Sequence, residues 1–279
     1  MEGFYQITEN ELIIPGVKGR HEFIHISDTH ASCTDELSTP AEIERAKKAE
    51  EAWDRVKVDF ARHFNEPFNE EHKIPSYEAT HKLIEYAKNE KPELLLLSGD
   101  ILDYIHPAGL RFLKKELEYY GENYLFVPGN HEGRYEKNPC LTEFNRGSGE
   151  LTEYHGDGFI IAAVDDSNKS ISDTQLARLK ELSAGSTPVV LLMHIPVATD
   201  ENMDKMQRFG EYFLITEKSE DANARELVMT LADKNSAVCC ILCGHVHGYF
   251  VSCYSGEKKE ICASSGLVGF AHKFIIKGE

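Results

Sequence analysis

Residues 94–103 read LLLLSGDILD. Four consecutive leucines do not alternate with polar residues, so this strand-length run fits a strand buried on both faces rather than one half open to water. It stops at Ser98-Gly99, and the next residue is the carboxylate of Asp100. The same arrangement recurs on either side: FIHIS before Asp28, YLFVPG before Asn130, VVLLM before His194 and AVCCILCG before His245. Five apolar runs thus end in side chains of the metal-ligand type. Helical spacing between them predicts helices over 40–64, 76–90, 107–120, 173–183 and 222–233, and strands alternating with helices mean an α/β fold. Because such sheets bind ligands beyond the carboxyl ends of their strands, all five clusters are expected at one edge of one sheet. The tail from Gly248 onward reads as hairpins with Ser-Gly turns, forming a second, antiparallel-leaning sheet.

The first helical pattern has Ser38 and Thr39 as cap candidates and Pro40 in its opening turn. Ile43, Ala46, Trp53, Val56, Phe60 and Phe64 recur at helical spacing and should lay one face on the body. The stretch 33–75 is longer and more charged than a simple connection requires, so it is expected to be a helical insertion or cap within one domain spanning 1–279. Residues 197–221 have no clear period and follow a site residue, which suggests a lid or rim loop.

Composition narrows the function. With 279 residues, 41% hydrophobic and 28% charged, the chain can bury a full core. Thirty Lys and Arg against 47 Asp and Glu give a net charge of −17, a field that repels nucleic acid and anionic membranes. There is no basic segment followed by an apolar one at the start, and no run of bilayer-spanning length. Seven cysteines, an odd number without a small-domain framework, fit free thiols. The expected setting is cytoplasmic. Cys240 and Cys243 form C-x-x-C, but residues three apart in a strand point to opposite faces, so a zinc or redox pair is not expected there.

The chemistry lies in the run-terminating residues. Asp28 and His30 stand at i and i+2, as do His245 and His247, and in an extended segment each pair leaves the same face. Asp100, Asn130 and His194 add two oxygen ligands and a nitrogen, which makes seven candidates. Mixed nitrogen and oxygen donors without thiolate suit Mn, Fe or Zn. If one carboxylate bridges, seven residues supply four bonds to each of two divalent ions, with room left for a shared hydroxide and substrate oxygens.

In this order the blocks D-x-H at 28–30, G-D at 99–100, G-N-H-E at 129–132, the lone His194 and G-H-x-H at 244–247 resemble the calcineurin-like metallophosphoesterase superfamily. ISDTQLARLKELSAGSTPVVLLMHIP at 171–196 is similar to its cyclic-nucleotide phosphodiesterase-like branch. The resemblance implies a four-layer αββα sandwich, with two facing mixed sheets flanked by helices. It implies Asp28, His30, Asp100 and His247 on one ion, and Asp100, Asn130, His194 and His245 on the other, with Asp100 bridging. His131 matches the family histidine that stabilises or protonates the leaving oxygen. GDILDYI lacks the arginine of the protein-phosphatase motif G-D-x-V-D-R-G, so protein phosphatase activity is not expected. The implied activity is hydrolysis of a small organic phosphate ester, a phosphodiester preferred, by a metal-bridging hydroxide. The alternatives are a phosphomonoesterase or nucleotide pyrophosphatase of the same superfamily, or a non-catalytic protein-binding scaffold.

Other residues have two readings. Arg134 clamps a phosphate oxygen or is a surface charge. Asp103 holds a ligand imidazole or caps the helix after Pro107. Asp165 and Asp166 read as turn chemistry. Tyr104, Tyr135, Phe209, Tyr212 and Tyr249 stack on a nucleoside base or pack in the core. His21, His25, His63, His72, His81, His106, His155 and His272 are left as structural or solvent-facing.

Overall fold

In the computed structural model, which describes residues 4–68, 73–205 and 214–279, the leucine run is strand β3 (Leu94–Ser98), with every residue buried. Leu94 and Leu96 face a second sheet, while Leu95 and Leu97 face helices. Both faces are covered, which is why no polar residue alternates with the leucines.

The first sheet runs β1 (Gln6–Ile13), β11 (Phe270–Lys277), β2 (Arg20–Ile26), β3 and β4 (Tyr124–Val127). The second runs β5 (Thr152–Gly156), β6 (Phe159–Ala163), β7 (Val189–Leu192), β8 (Val238–Cys243), β10 (Lys258–Cys262) and β9 (Phe250–Ser255). Between them Phe23, Leu96 and Val127 meet Phe159, Val190 and Leu242. Helices α2 (Ser76–Glu90) and α3 (Pro107–Leu117) cover the outer face of the first sheet through Leu83, Ile84 and Leu113. Helices α4 (Asp173–Ser183) and α6 (Ala222–Ala232) cover the second through Leu179 and Leu227. The order is helix, sheet, sheet, helix, the expected four-layer mixed sandwich.

Two expectations are corrected. The five ligand clusters do not share one sheet: β2, β3 and β4 carry three of them, and β7 and β8 of the facing sheet carry the others. Nor is the tail a separate antiparallel sheet. β9 and β10 form a hairpin, but β10 pairs parallel to β8, and β11 crosses to the first sheet between β1 and β2. The Cys pair behaves as expected, Cys240 facing the inter-sheet core and Cys243 the helices.

Helix α1 (Pro40–His63) begins at a capping box: Thr39 Oγ1 accepts from Glu42 N, and the Glu42 carboxylate accepts from Thr39 N. Its buried face differs from the apolar pattern, because Ile43 and Val56 are exposed while Lys57 is buried. Lys57 lies on the Ala46–Trp53–Phe60 stripe. Its alkyl stem fills the interface while its ammonium reaches Asp54 and the Ile74 carbonyl. Within 197–221, α5 (Asp200–Lys205) follows the β7 loop and Val197 bridges to Ile215; Phe209 and Tyr212 lie outside the described residues.

Candidate metal centre

Backbone conformation aims the ligands. Asp28, His30, Asp100, His245 and His247 all have positive φ, between +47° and +72°. Non-glycine residues rarely adopt this region, and where it is imposed it concentrates at sites of function. The i, i+2 pairs are therefore not in extended segments, which corrects the sequence reading of how each pair converges. Neighbouring glycines give the turns room: a Cβ on Gly129 would strike Asp100 Oδ1, and one on Gly244 would strike Ser27 Oγ.

Of the three donor groups among the described residues, two consist of sequence-predicted ligands, and the third is His30 with Asp103 and His131. Asp28, His30 and His247 offer ligand atoms within 4.8 Å of one another, and so do Asp100, His194 and His245. In the first group His30 Nε2 lies 3.0 Å from His247 Nε2, which lies 3.5 Å from Asp28 Oδ1. In the second, His194 Nε2 lies 3.2 Å from Asn130 Oδ1. Asp100 Oδ2 stands between them, 3.9 Å from His30 Nε2 and 3.3 Å from His194 Nε2. All seven sequence-predicted ligand residues thus lie in one cluster, with Asp100 Oδ2 between the two groups.

The donor chemistry fits cations. The His194 ring donates Nδ1–H to the Ser98 carbonyl at 2.7 Å, so its Nε2 faces the cluster as the free ligand atom. Burial drives His245 and His247 well below the usual imidazole range, leaving them in the neutral form that binds metal. Burial also lowers His194, but Asp100, Asp28 and Asp166 outweigh it and raise it to about 10. In effect the buried carboxylates call for positive charge, which two divalent ions would provide. Among the described residues the set consists of nitrogen and oxygen donors.

Surrounding groups hold the ligands. Asp28 accepts from Ser27 Oγ and from the His245 amide, tying the first ligand block to the last. Asp103 resolves in favour of holding imidazoles. Its Oδ1 is 3.1 Å from His131 Nδ1 and 3.5 Å from His30 Nδ1, and it accepts from Trp53 Nε1 at 2.8 Å. Burial pushes His131 down, but Asp103 and the charge of Asp100 prevail and raise it to about 9.

Sequence reasoning missed three contributors. Glu132, the acid of G-N-H-E, is buried and accepts from the amides of Asp100 and Gly129 through Oε2 and of Leu102 through Oε1. Asp166, read as a turn residue, accepts from the amides of His194 and Ile195. Trp53 read as one apolar position among several, yet its ring lies 4.0 Å from that of His30 and 5.3 Å from that of His247. Both acids follow a strand next to a ligand block, which was the available signal; nothing local marked Trp53.

Three aromatic candidates are engaged elsewhere. Tyr104 lies between Arg45 and His106, Tyr135 donates to the Phe126 carbonyl, and Tyr249 donates to Asn10. Arg134 donates to the Ser170 carbonyl at 2.6 Å. His25 and His272 are buried packing residues, as expected.

A family model for calcineurin-like phosphoesterases matches residues 21–249. Comparison with curated proteins gives no match. Among solved structures, a dimetal phosphatase from Danio rerio aligns over 88% of both chains with a TM-score of 0.54 at 13% identity. A purple acid phosphatase, PPD1, from yellow lupin (Lupinus luteus) aligns over 94% of this chain and 44% of its own, with a TM-score of 0.49 at 14% identity. The family match takes in all seven ligands and His131, and the zebrafish structure has the same fold. Alongside the two clusters of candidate ligands, the family match shows that the chain belongs to the calcineurin-like phosphoesterase family and is a metal-dependent phosphoesterase.

Proposed function

We propose that this phosphoesterase hydrolyses a small organic phosphate ester and prefers a phosphodiester to a monoester. The observation that supports the reading is Asp100 Oδ2, 3.9 Å from His30 Nε2 and 3.3 Å from His194 Nε2, beside the exposed His131. Bound there, two divalent ions would supply Lewis acidity toward phosphoryl oxygens and a nucleophile at neutral pH. The protein's own part is positioning and proton transfer. His131 is fixed at two points, its amide donating to Asp100 Oδ1 and its Nδ1–H shared between the Asp103 carbonyl and carboxylate. Its raised pKa keeps a proton available for the leaving oxygen.

Charge supports the diester. A diester carries one negative charge where a monoester carries up to two, and the chain stands at −17. Long polyanions are disfavoured for the same reason, so nucleic acid is not the proposed substrate. No helix among the described residues is long and apolar enough to cross a membrane, and seven free cysteines support a reducing, cytoplasmic setting. The stretch 33–75 is read as a cap on one domain.

The test compares bis(p-nitrophenyl) phosphate with p-nitrophenyl phosphate on Mn2+-loaded protein. A higher kcat/KM for the diester is expected. A monoester preference would reverse the substrate assignment, and hydrolysis of neither would remove the activity.

A further inference from the structure

The two donor groups differ in exposure on one side only. Asp28 and His30 are 0% exposed and His247 5%; in the second group Asp100 is 2% and His194 0% exposed, but Asn130 is exposed and His245 half-buried, and the adjacent His131 is exposed. Helix α1 creates part of the difference. Trp53 lies over His30 and His247, with ring planes 35° and 27° from theirs, and Phe60 packs on His247 with ring centroids 4.7 Å apart. The helix is anchored beyond the site as well. Phe64 fills the space where a Cβ on Gly248 would stand, and Glu66 accepts from the Tyr249 amide and Ser264 Oγ. Trp53 is tied in by its polar atom: the indole N–H, His131 and His30 converge on the single oxygen Asp103 Oδ1.

We propose that Trp53 is a positioning residue that seals the ion held by Asp28, His30 and His247, so that this ion exchanges slowly and substrate approaches only across Asn130, His131 and His245. The inference rests on the two-ion reading of the centre. Its basis is non-covalent packing: helix α1 delivers one large ring onto the imidazoles of His30 and His247, and its N–H onto the carboxylate of Asp103. Groups that orient ligand imidazoles typically change metal affinity 10- to 100-fold when removed. The seal should therefore be visible in metal release without reference to turnover.

Trp53 is the only tryptophan in the chain, so its emission reports on the ion beneath it. Co2+-loaded protein, its emission quenched by the open-shell ion, is mixed with excess chelator while Co2+ release and tryptophan emission are both followed. The wild type should release Co2+ in two phases, with emission recovering in the slow one. Trp53→Ala should speed the slow phase by about 10-fold or more and leave the fast phase unchanged. Trp53→Phe, which retains a ring but lacks the N–H, should release the covered ion at an intermediate rate. Single-phase release in the wild type, recovery of emission in the fast phase, or an unaltered slow phase in Trp53→Ala would overturn the seal while leaving the two-ion reading intact. Failure to take up Co2+ would overturn both.

Discussion

Asp166 receives the backbone amide of His194 at 2.7 Å through one carboxylate oxygen, while its other oxygen takes the amide of Ile195 at the same distance. The carboxylate at the end of β6 thereby sets the loop that presents a metal ligand from β7. Replacing it with alanine leaves two buried amides without an acceptor, each costing about 1–3 kcal/mol. Asp166→Ala is expected to lose about 2–6 kcal/mol in denaturant unfolding and to weaken metal binding at Asp100, Asn130, His194 and His245. Asp166→Asn keeps one acceptor and should lose about half as much. Wild-type stability in Asp166→Ala would show that the loop holds without it.

The position of Asp100 between the two donor groups offers a way to separate metal binding from chemistry. Wild-type protein should carry close to two ions per chain, and Asp100→Asn should weaken both sites together. His131→Ala should keep both ions yet turn over about 100-fold more slowly, with a smaller loss on a nitrophenyl ester whose leaving group needs little protonation. Metal analysis and steady-state rates on the same preparations check this. Asp100→Asn retaining both ions, or His131→Ala losing them, would contradict the assignment.

Acid should unfold the protein partly through its buried histidines. Burial lowers His272 to about 3 and His25 well below the usual imidazole range. Such groups stay neutral in the fold while the unfolded chain takes up protons below about pH 6.5. Their stabilisation is complete above that pH and is lost as pH falls toward 3. The Ser264 amide donates to His272 Nε2, a role an uncharged amide oxygen can fill. His272→Gln should therefore lose stability less steeply from pH 6.5 to 4.5, with a difference of up to about 1.4 kcal/mol per unit. Parallel pH profiles of wild type and variant would refute the account.

Substrate size should follow whole-chain charge. At −17, two divalent ions leave −13, which penalises every phosphate beyond the centre. Mn2+-loaded protein is expected to cleave bis(p-nitrophenyl) phosphate or a cyclic nucleotide far faster, per phosphate, than single-stranded or duplex DNA, and lower salt should worsen DNA cleavage. Efficient DNA hydrolysis that improves at low salt would point to a local basic track.

The candidate ligands were legible in the sequence, because a strand buried on both faces ends visibly when LLLLS meets Gly99 and Asp100. The α/β class follows from the alternation of such runs with helical spacing, whereas the four-layer order comes from the family resemblance, since local periodicity places every cluster on one sheet rather than two. Tertiary structure decided how the ligands meet. Left-handed backbone at Asp28, His30, Asp100, His245 and His247 replaces the extended geometry that i, i+2 spacing suggests, and only close packing of loops from two facing sheets can sustain it. It also decided which ordinary residues serve the site. Glu132, Asp166 and Trp53 act on partners far away in the sequence, Trp53 on Asp103 by hydrogen bond and on His247 by stacking. Hydrogen bonding and stacking at such separations depend on where the chain returns in space, which no local pattern of residue types records.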